Sequence, residues 1–155
     1  MSNLTRQAEP VVEKLLQAEE DQLYEELGIR AKAMGQDPTV SGSFDPEVTY
    51  EAAQMGLKED VLEFGQRLFR RWNAQAYELV CGAEAGQQQE RSQLMNAFGV
   101  SDVAVAAVIS SLLVSSVGLA PAIAAVVAAL VVKRFFRPAY EEFCVTWKKS
   151  LESAE

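Results

Sequence analysis

Few residues in this chain could perform acid–base, nucleophilic or metal chemistry. The chain has no histidine, so Ser-His-Asp and Cys-His nucleophiles and histidine-ligated zinc cannot form. The glycines of the segment 82–86 are not followed by the Lys-Ser/Thr pair of a phosphate-binding loop. The glutamates of the N-terminal region lack the Glu-x-x-His partner of a di-iron bundle and are better explained as a solvated face. We therefore predict a protein that is not an enzyme, with no catalytic residue, metal or cofactor.

The two cysteines, Cys81 and Cys144, lie far apart in the sequence and cannot form a Cys-x-x-Cys site. Two cysteines are also too few for a disulfide framework. We predict that both are small buried apolar residues, with a single bridge between them as the alternative.

The charge of the chain is unevenly distributed. There are 22 acidic and 14 basic residues, for a net charge of −8, and residues 1–60 hold 13 of the acidic and 5 of the basic ones. Nucleic-acid binding needs clustered lysine and arginine, so we expect no nucleic-acid partner. Acidic residues precede any apolar stretch near the N-terminus, which is not typical of a signal peptide. We therefore expect a cytoplasmic protein that is not secreted, although it could associate with the inner face of a membrane.

The pattern along the chain predicts an all-α fold without strands, because apolar residues recur at helical spacing. We predict helices over about 9–27, ended by Gly28, and over 58–81 and 139–152. Shorter helical pieces are expected at 29–34, 47–55 and 94–98, with a loop at 35–46. The predicted organisation is a single helical domain, 1–155, with an acidic N-terminal helix and loop at 1–57, amphipathic helices at 58–98, an apolar hairpin at 101–137 and a C-terminal amphipathic helix at 138–155.

The most distinctive segment is 103–132, which contains no charged residue. Gly118 and Pro121 interrupt it, because glycine suits a helix end and proline a helix start. We therefore predict a central helical hairpin with arms at 103–117 and 121–136, with the other helices forming a bundle around it. The residues expected at the hairpin core are Val108, Leu112, Ile123, Val126, Val127 and Leu130.

The surroundings of this hairpin are not determined by its sequence. Arms of about 15–18 residues would be roughly 22–27 Å long, slightly short of a bilayer core of about 30 Å. A basic and aromatic edge follows the second arm, as at a membrane interface. That edge consists of Lys133, Arg134, Phe135, Phe136 and Arg137. The hairpin could lie in lipid, form the core of a soluble bundle, or be enclosed first and inserted later.

The third arrangement resembles the layout of colicin-type pore-forming domains, in which amphipathic helices cover an all-apolar hairpin. The charge-free arms and their basic and aromatic edge predict a membrane-active or membrane-anchored protein, such as a small bacterial effector that inserts its hairpin into a membrane. The alternatives are a soluble all-α adaptor with the hairpin as its core and a self-assembling structural protein. The expected partners are accordingly membrane lipid, a protein, or further copies of this chain.

Overall fold

The computed structural model describes residues 3–46, 61–82 and 88–153, and within these ranges the chain forms seven α-helices and no strand. This confirms the predicted all-α bundle around a central uncharged hairpin. The helices are α1 (Asn3–Leu15), α2 (Glu20–Gln36), α3 (Val61–Cys81), α4 (Gln88–Phe98), α5 (Asp102–Leu112), α6 (Pro121–Phe135) and α7 (Tyr140–Ser153). A 3₁₀-helix (Pro38–Gly42) follows α2, and a π-helical turn (Leu113–Val117) extends α5.

The two arms of the hairpin, α5 and α6, pack against each other at the centre of the bundle. Helices α1 and α4 pack on α5, while α1, α2, α3 and α7 pack on α6. Helix α2 also packs along α3, and α7 contacts α3. The amphipathic helices therefore form a sheath, which is the name used below for α1, α2, α3, α4 and α7 together.

The N-terminal region differs from the prediction of one helix over 9–27. Helix α1 begins earlier, so Pro10 lies inside it rather than in its first turn. The chain then leaves helical geometry after Leu15, and α2 begins at Glu20 with a capping box between Glu19 and Gln22. The apolar stripe continues across this break, because α1 and α2 both bury it against the hairpin, and that continuity explains the error.

Gly28 does not end a helix, as predicted, but lies in the middle of α2. A Cβ atom at Gly28 would come within 2.5 Å of the Val61 carbonyl oxygen, and one at Gly65 would overlap the Tyr24 carbonyl oxygen. The two glycines therefore let the backbones of α2 and α3 touch. This close contact explains why glycine occurs inside these helices, where it otherwise lowers stability.

The remaining boundaries differ in smaller ways. The predicted loop at 35–46 includes the last residues of α2 and the 3₁₀-helix, and the short helix expected around Leu94–Phe98 is an 11-residue helix. Helix α7 matches the predicted C-terminal helix to within one residue at each end. The helix predicted at 47–55 lies outside the described residues.

The cysteines also differ from the prediction, because Cys81 and Cys144 form a disulfide with a Cα–Cα distance of 5.7 Å. The prediction of two free buried cysteines was therefore wrong. The bond joins the last residue of α3 to the first turns of α7, and both cysteines are half-buried. Two hydrogen bonds link the same elements: Tyr140 Oη donates to the Val80 carbonyl at 2.5 Å, and Trp147 Nε1 donates to Asn73 Oδ1 at 2.7 Å.

Candidate functional site: the enclosed hairpin

Local sequence accounts for the start of the first arm. Ser101 is the N-cap of α5, and its hydroxyl accepts a hydrogen bond from the Ala104 N–H at 3.1 Å. Asp102 lies in the first turn, where a negative charge complements the helix dipole, and its Oδ1 accepts from the Val103 N–H at 2.9 Å. The arm thus begins at Asp102, the last charged residue before the apolar run.

The predicted turn residues, Gly118 and Pro121, lie at the tip of the hairpin. Gly118 has φ = 80°, a left-handed conformation that glycine adopts without strain, and its N–H bonds to the Leu113 carbonyl. Pro121 is the first residue of α6, where the missing N–H is not needed. Ser116 and Gly118 are exposed and Leu119 is half-buried, so the tip is an uncharged surface.

The residues assigned to the hairpin core all lie inside the bundle. Each is at most 5% exposed, and they are Val108, Leu112, Ile123, Val126, Val127 and Leu130. Every residue of α6 from Ala122 to Val132 is buried, so this part of the helix has no face toward solvent. A helix that is apolar all round requires this environment or a lipid one.

A cluster of aromatic side chains covers the end of α6. The Phe135 ring stacks on Trp147 with ring centroids 5.7 Å apart, and Phe143 contacts both Trp147 and Phe98. Phe143 and Trp147 are fully buried, so α7 covers the hairpin with two of the largest side chains of the core.

The basic and aromatic edge lies where the hairpin meets the sheath. Lys133 Nζ donates to the Leu16 carbonyl at 3.1 Å, and Arg134 Nη1 donates to Tyr24 Oη at 2.8 Å. Phe135 is buried, and Phe136 stacks on a ring of α4. Arg137 is exposed, and its Nη1 donates to the neighbouring carbonyl.

Arg134 lies among aromatic and acidic groups of the sheath. Its guanidinium carbon is 5.6 Å from the ring centroid of Phe69, and its Nε is 3.9 Å from a carboxylate oxygen of Glu20. Burial raises the pKa of Tyr24 above its ordinary value, while the charge and hydrogen bond of Arg134 act in the opposite direction. In this structure the edge therefore attaches the hairpin to α2 and to the turn that precedes it.

Sequence reasoning did not find Arg30, which is 1% exposed and contacts the start of α6. Its guanidinium donates to the carbonyls of Phe44 (2.5 Å) and Ala122 (3.0 Å), and it pairs with Glu26 at 2.7 Å and Asp45 at 3.1 Å. The only sequence signal was a basic residue on the otherwise apolar side of α2, four residues after Glu26.

A single buried hydroxyl is left without a hydrogen bond among the described residues, and it belongs to Ser110 in α5. Ser115, near the tip, instead donates to the Ser111 carbonyl at 3.0 Å. The unpaired hydroxyl of Ser110 is a polar defect in the otherwise apolar arm.

None of the helices in the described ranges is both long and apolar enough to cross a membrane. No family model, curated protein or solved structure matches this chain.

Proposed function

We propose that this protein is membrane-active and stores its hairpin inside the sheath until it meets a bilayer. The observation that supports this function is a run of 30 uncharged residues, Val103 to Val132, folded into two helices whose side chains are almost all buried. Such helices are compatible with a hydrocarbon environment, in which a charged side chain would be costly.

Helix length limits how such a hairpin would enter lipid. Residues 102–117 and 121–135 would extend about 24 Å and 23 Å as helices, against a bilayer core of about 30 Å. We propose a re-entrant insertion in which the tip around Gly118 leads and the edge from Lys133 to Arg137 remains at the headgroups, where Lys and Arg are favoured.

Dye release from vesicles tests this function. Acidic conditions protonate carboxylates and reduce the repulsion between this acidic chain and anionic lipid, so the assay is run with anionic vesicles at neutral pH and at a pH of about 4. We expect release at the lower pH. If dye is retained under both conditions, and also when the protein is heated, the proposal is wrong.

Two serine substitutions make the assay specific for the tip. Ser116→Arg places a charge at the exposed tip, and Ser92→Arg places the same charge on the exposed surface of α4. Both variants should fold like the parent, and arginine stays charged at the lower pH. Only Ser116→Arg should lose dye release, because a charge in hydrocarbon costs about 2.5–3.5 kcal/mol. Equal release by the two variants would show that the tip does not enter the bilayer.

A soluble adaptor is the second candidate function. It is favoured by the enclosure of the hairpin, which is also how an ordinary core is built, and by the exposed apolar side chains of Met95 and Val100 near the end of α4. Retained dye together with a protein partner that protects Val100 from hydrogen exchange would support it. Self-association, the third candidate, would appear as a mass above that of the monomer in light scattering.

The location of the protein is linked to its disulfide. The cytoplasmic location expected from the N-terminal sequence stays a prediction, whereas a Cys81–Cys144 bond favours an oxidising compartment. Alkylation with N-ethylmaleimide in intact cells separates the two, because only reduced cysteines react. Modification of both cysteines would support the cytoplasmic location.

A further inference from the structure

A cavity of about 170 Å³ opens at the surface between α1, α4 and α5. Its walls are formed by Ala97, Ala104 and Val108, all of them buried, and by Val100, which is 76% exposed at the mouth. Small side chains meet here, whereas aromatic rings pack around Phe135 of the second arm, at the same end of the hairpin. Since protein interiors usually leave few voids larger than a water molecule, a cavity of this size is a candidate binding site.

The lining defines the kind of molecule that would fit. Alanine and valine side chains offer no hydrogen bonds to a ligand, Thr5 of α1 adds one buried hydroxyl, and none of the described lining residues is charged. Gln93 and Asn96 also line the cavity, and both are at least partly accessible on α4. Their side-chain amides can donate to or accept from an uncharged polar group. An apolar floor combined with amide groups near the surface suits an uncharged amphiphile rather than an ion.

The volume limits the size of the apolar part. Cavities of about 150 Å³ lined by aliphatic and aromatic side chains accept benzene, so a cavity of about 170 Å³ has room for a group of about six carbons. The exposed side chain of Val100 at the mouth would contact the next atoms of the ligand.

We propose that this cavity binds a small uncharged amphiphile, with an alkyl or phenyl group of about six carbons on Ala104 and Val108 and a hydroxyl or ester group at Gln93 and Asn96. This site is separate from the proposed membrane action, because it requires only the folded, enclosed state of the hairpin. It assigns a binding role to the face of α5 that is covered by α1 and α4.

The test is a titration of the folded protein with 1-hexanol in the absence of lipid, followed through the ¹³C-methyl resonances of valine. We expect saturable shifts at Val100 and Val108, and little change at Val145, which is exposed on α7. Hexanoate, which carries a charge in place of the hydroxyl, should bind at least tenfold more weakly. Shifts that rise linearly with hexanol, or that affect all valines alike, would overturn the proposal.

Filling the cavity provides the matched comparison. Ala104→Leu should weaken hexanol binding at least tenfold, whereas Ala74→Leu, at an exposed position of α3, should leave it unchanged. Val100→Asp supplies a second test at an exposed position that should leave the core intact, and it should weaken binding because it places a carboxylate at the mouth. Unchanged hexanol affinity in Val100→Asp, or in a folded Ala104→Leu protein, would contradict the site.

Discussion

At the scale of single residues, Arg30 links α2 to two other parts of the structure. It lies on α2 but reaches the segment after the 3₁₀-helix through Phe44 and Asp45, and the second hairpin arm through Ala122. A planar guanidinium can direct its donors to several acceptors at once, which a lysine ammonium on a flexible stem does less well. Arg30 therefore holds the start of α6 to the sheath near the tip.

Removing this guanidinium should lower the stability of the folded protein. We expect Arg30→Ala to lower the free energy of unfolding by about 3 kcal/mol, because it leaves Glu26 and two carbonyls without their partner. Arg30→Lys should recover only part of that loss, and Arg137→Ala, at an exposed position, should change it by less than about 0.5 kcal/mol. Urea unfolding followed by circular dichroism measures all three, and a loss no greater than that of Arg137→Ala would contradict this role.

Ser110 leads to the opposite expectation. Its buried hydroxyl has no hydrogen-bond partner among the described residues, so Ser110→Ala should raise the free energy of unfolding by about 1 kcal/mol. Ser115→Ala is the control, because that hydroxyl is bonded and its residue is exposed. Urea unfolding followed by circular dichroism compares the two variants, and a destabilised Ser110→Ala protein would mean that the hydroxyl has a partner.

At the scale of elements, some helices of the sheath are joined to each other more closely than others. Helices α2 and α3 touch backbone to backbone at Gly28 and Gly65, and α7 is fixed to α3 by the disulfide and by the Trp147–Asn73 hydrogen bond. Helix α4 instead lies on α5 beside the cavity. The covalent link closes a loop that contains the whole hairpin.

The disulfide leads us to predict how stability and hydrogen exchange in α7 change when it is removed. Replacing both Cys81 and Cys144 with serine should lower the free energy of unfolding by roughly 4 kcal/mol, the entropy expected for a loop of 63 residues. Amide hydrogen exchange should accelerate most in α7. Dithiothreitol should destabilise the parent to a similar degree and leave the double variant unaffected, whereas an equal effect on both proteins would rule out the bond as the cause.

At the scale of the whole molecule, the core is the hairpin, and the other helices supply one apolar face each. Val126 is fully buried at its centre, in a helix that contacts four helices of the sheath as well as α5. Because this single hairpin supplies so much of the interior, the stability of the bundle depends on the hairpin staying enclosed. Any release toward a membrane must therefore exchange the sheath for another apolar environment.

A charge at the centre should consequently prevent stable folding. We expect Val126→Asp to destabilise the protein by at least about 4 kcal/mol, because the carboxylate would be buried without a partner. Val145→Asp, at a position 53% exposed, should change stability by less than about 0.5 kcal/mol. Thermal unfolding compares them, and a stable Val126→Asp protein would show that the hairpin is not the core.

The sequence by itself determined the helices and the turn of the hairpin. The uncharged residues at 103–132, with glycine and proline between the arms, predict two helices joined by a turn. Gly118 and Pro121 produce that turn through local backbone geometry. Only the tertiary structure decided that the arms are enclosed, that α2 continues through Gly28, that Cys81 reaches Cys144, and that Arg30 is buried. Each of these depends on contacts between residues distant in the chain, and helical periodicity describes only the face of a helix, not the surface that covers it.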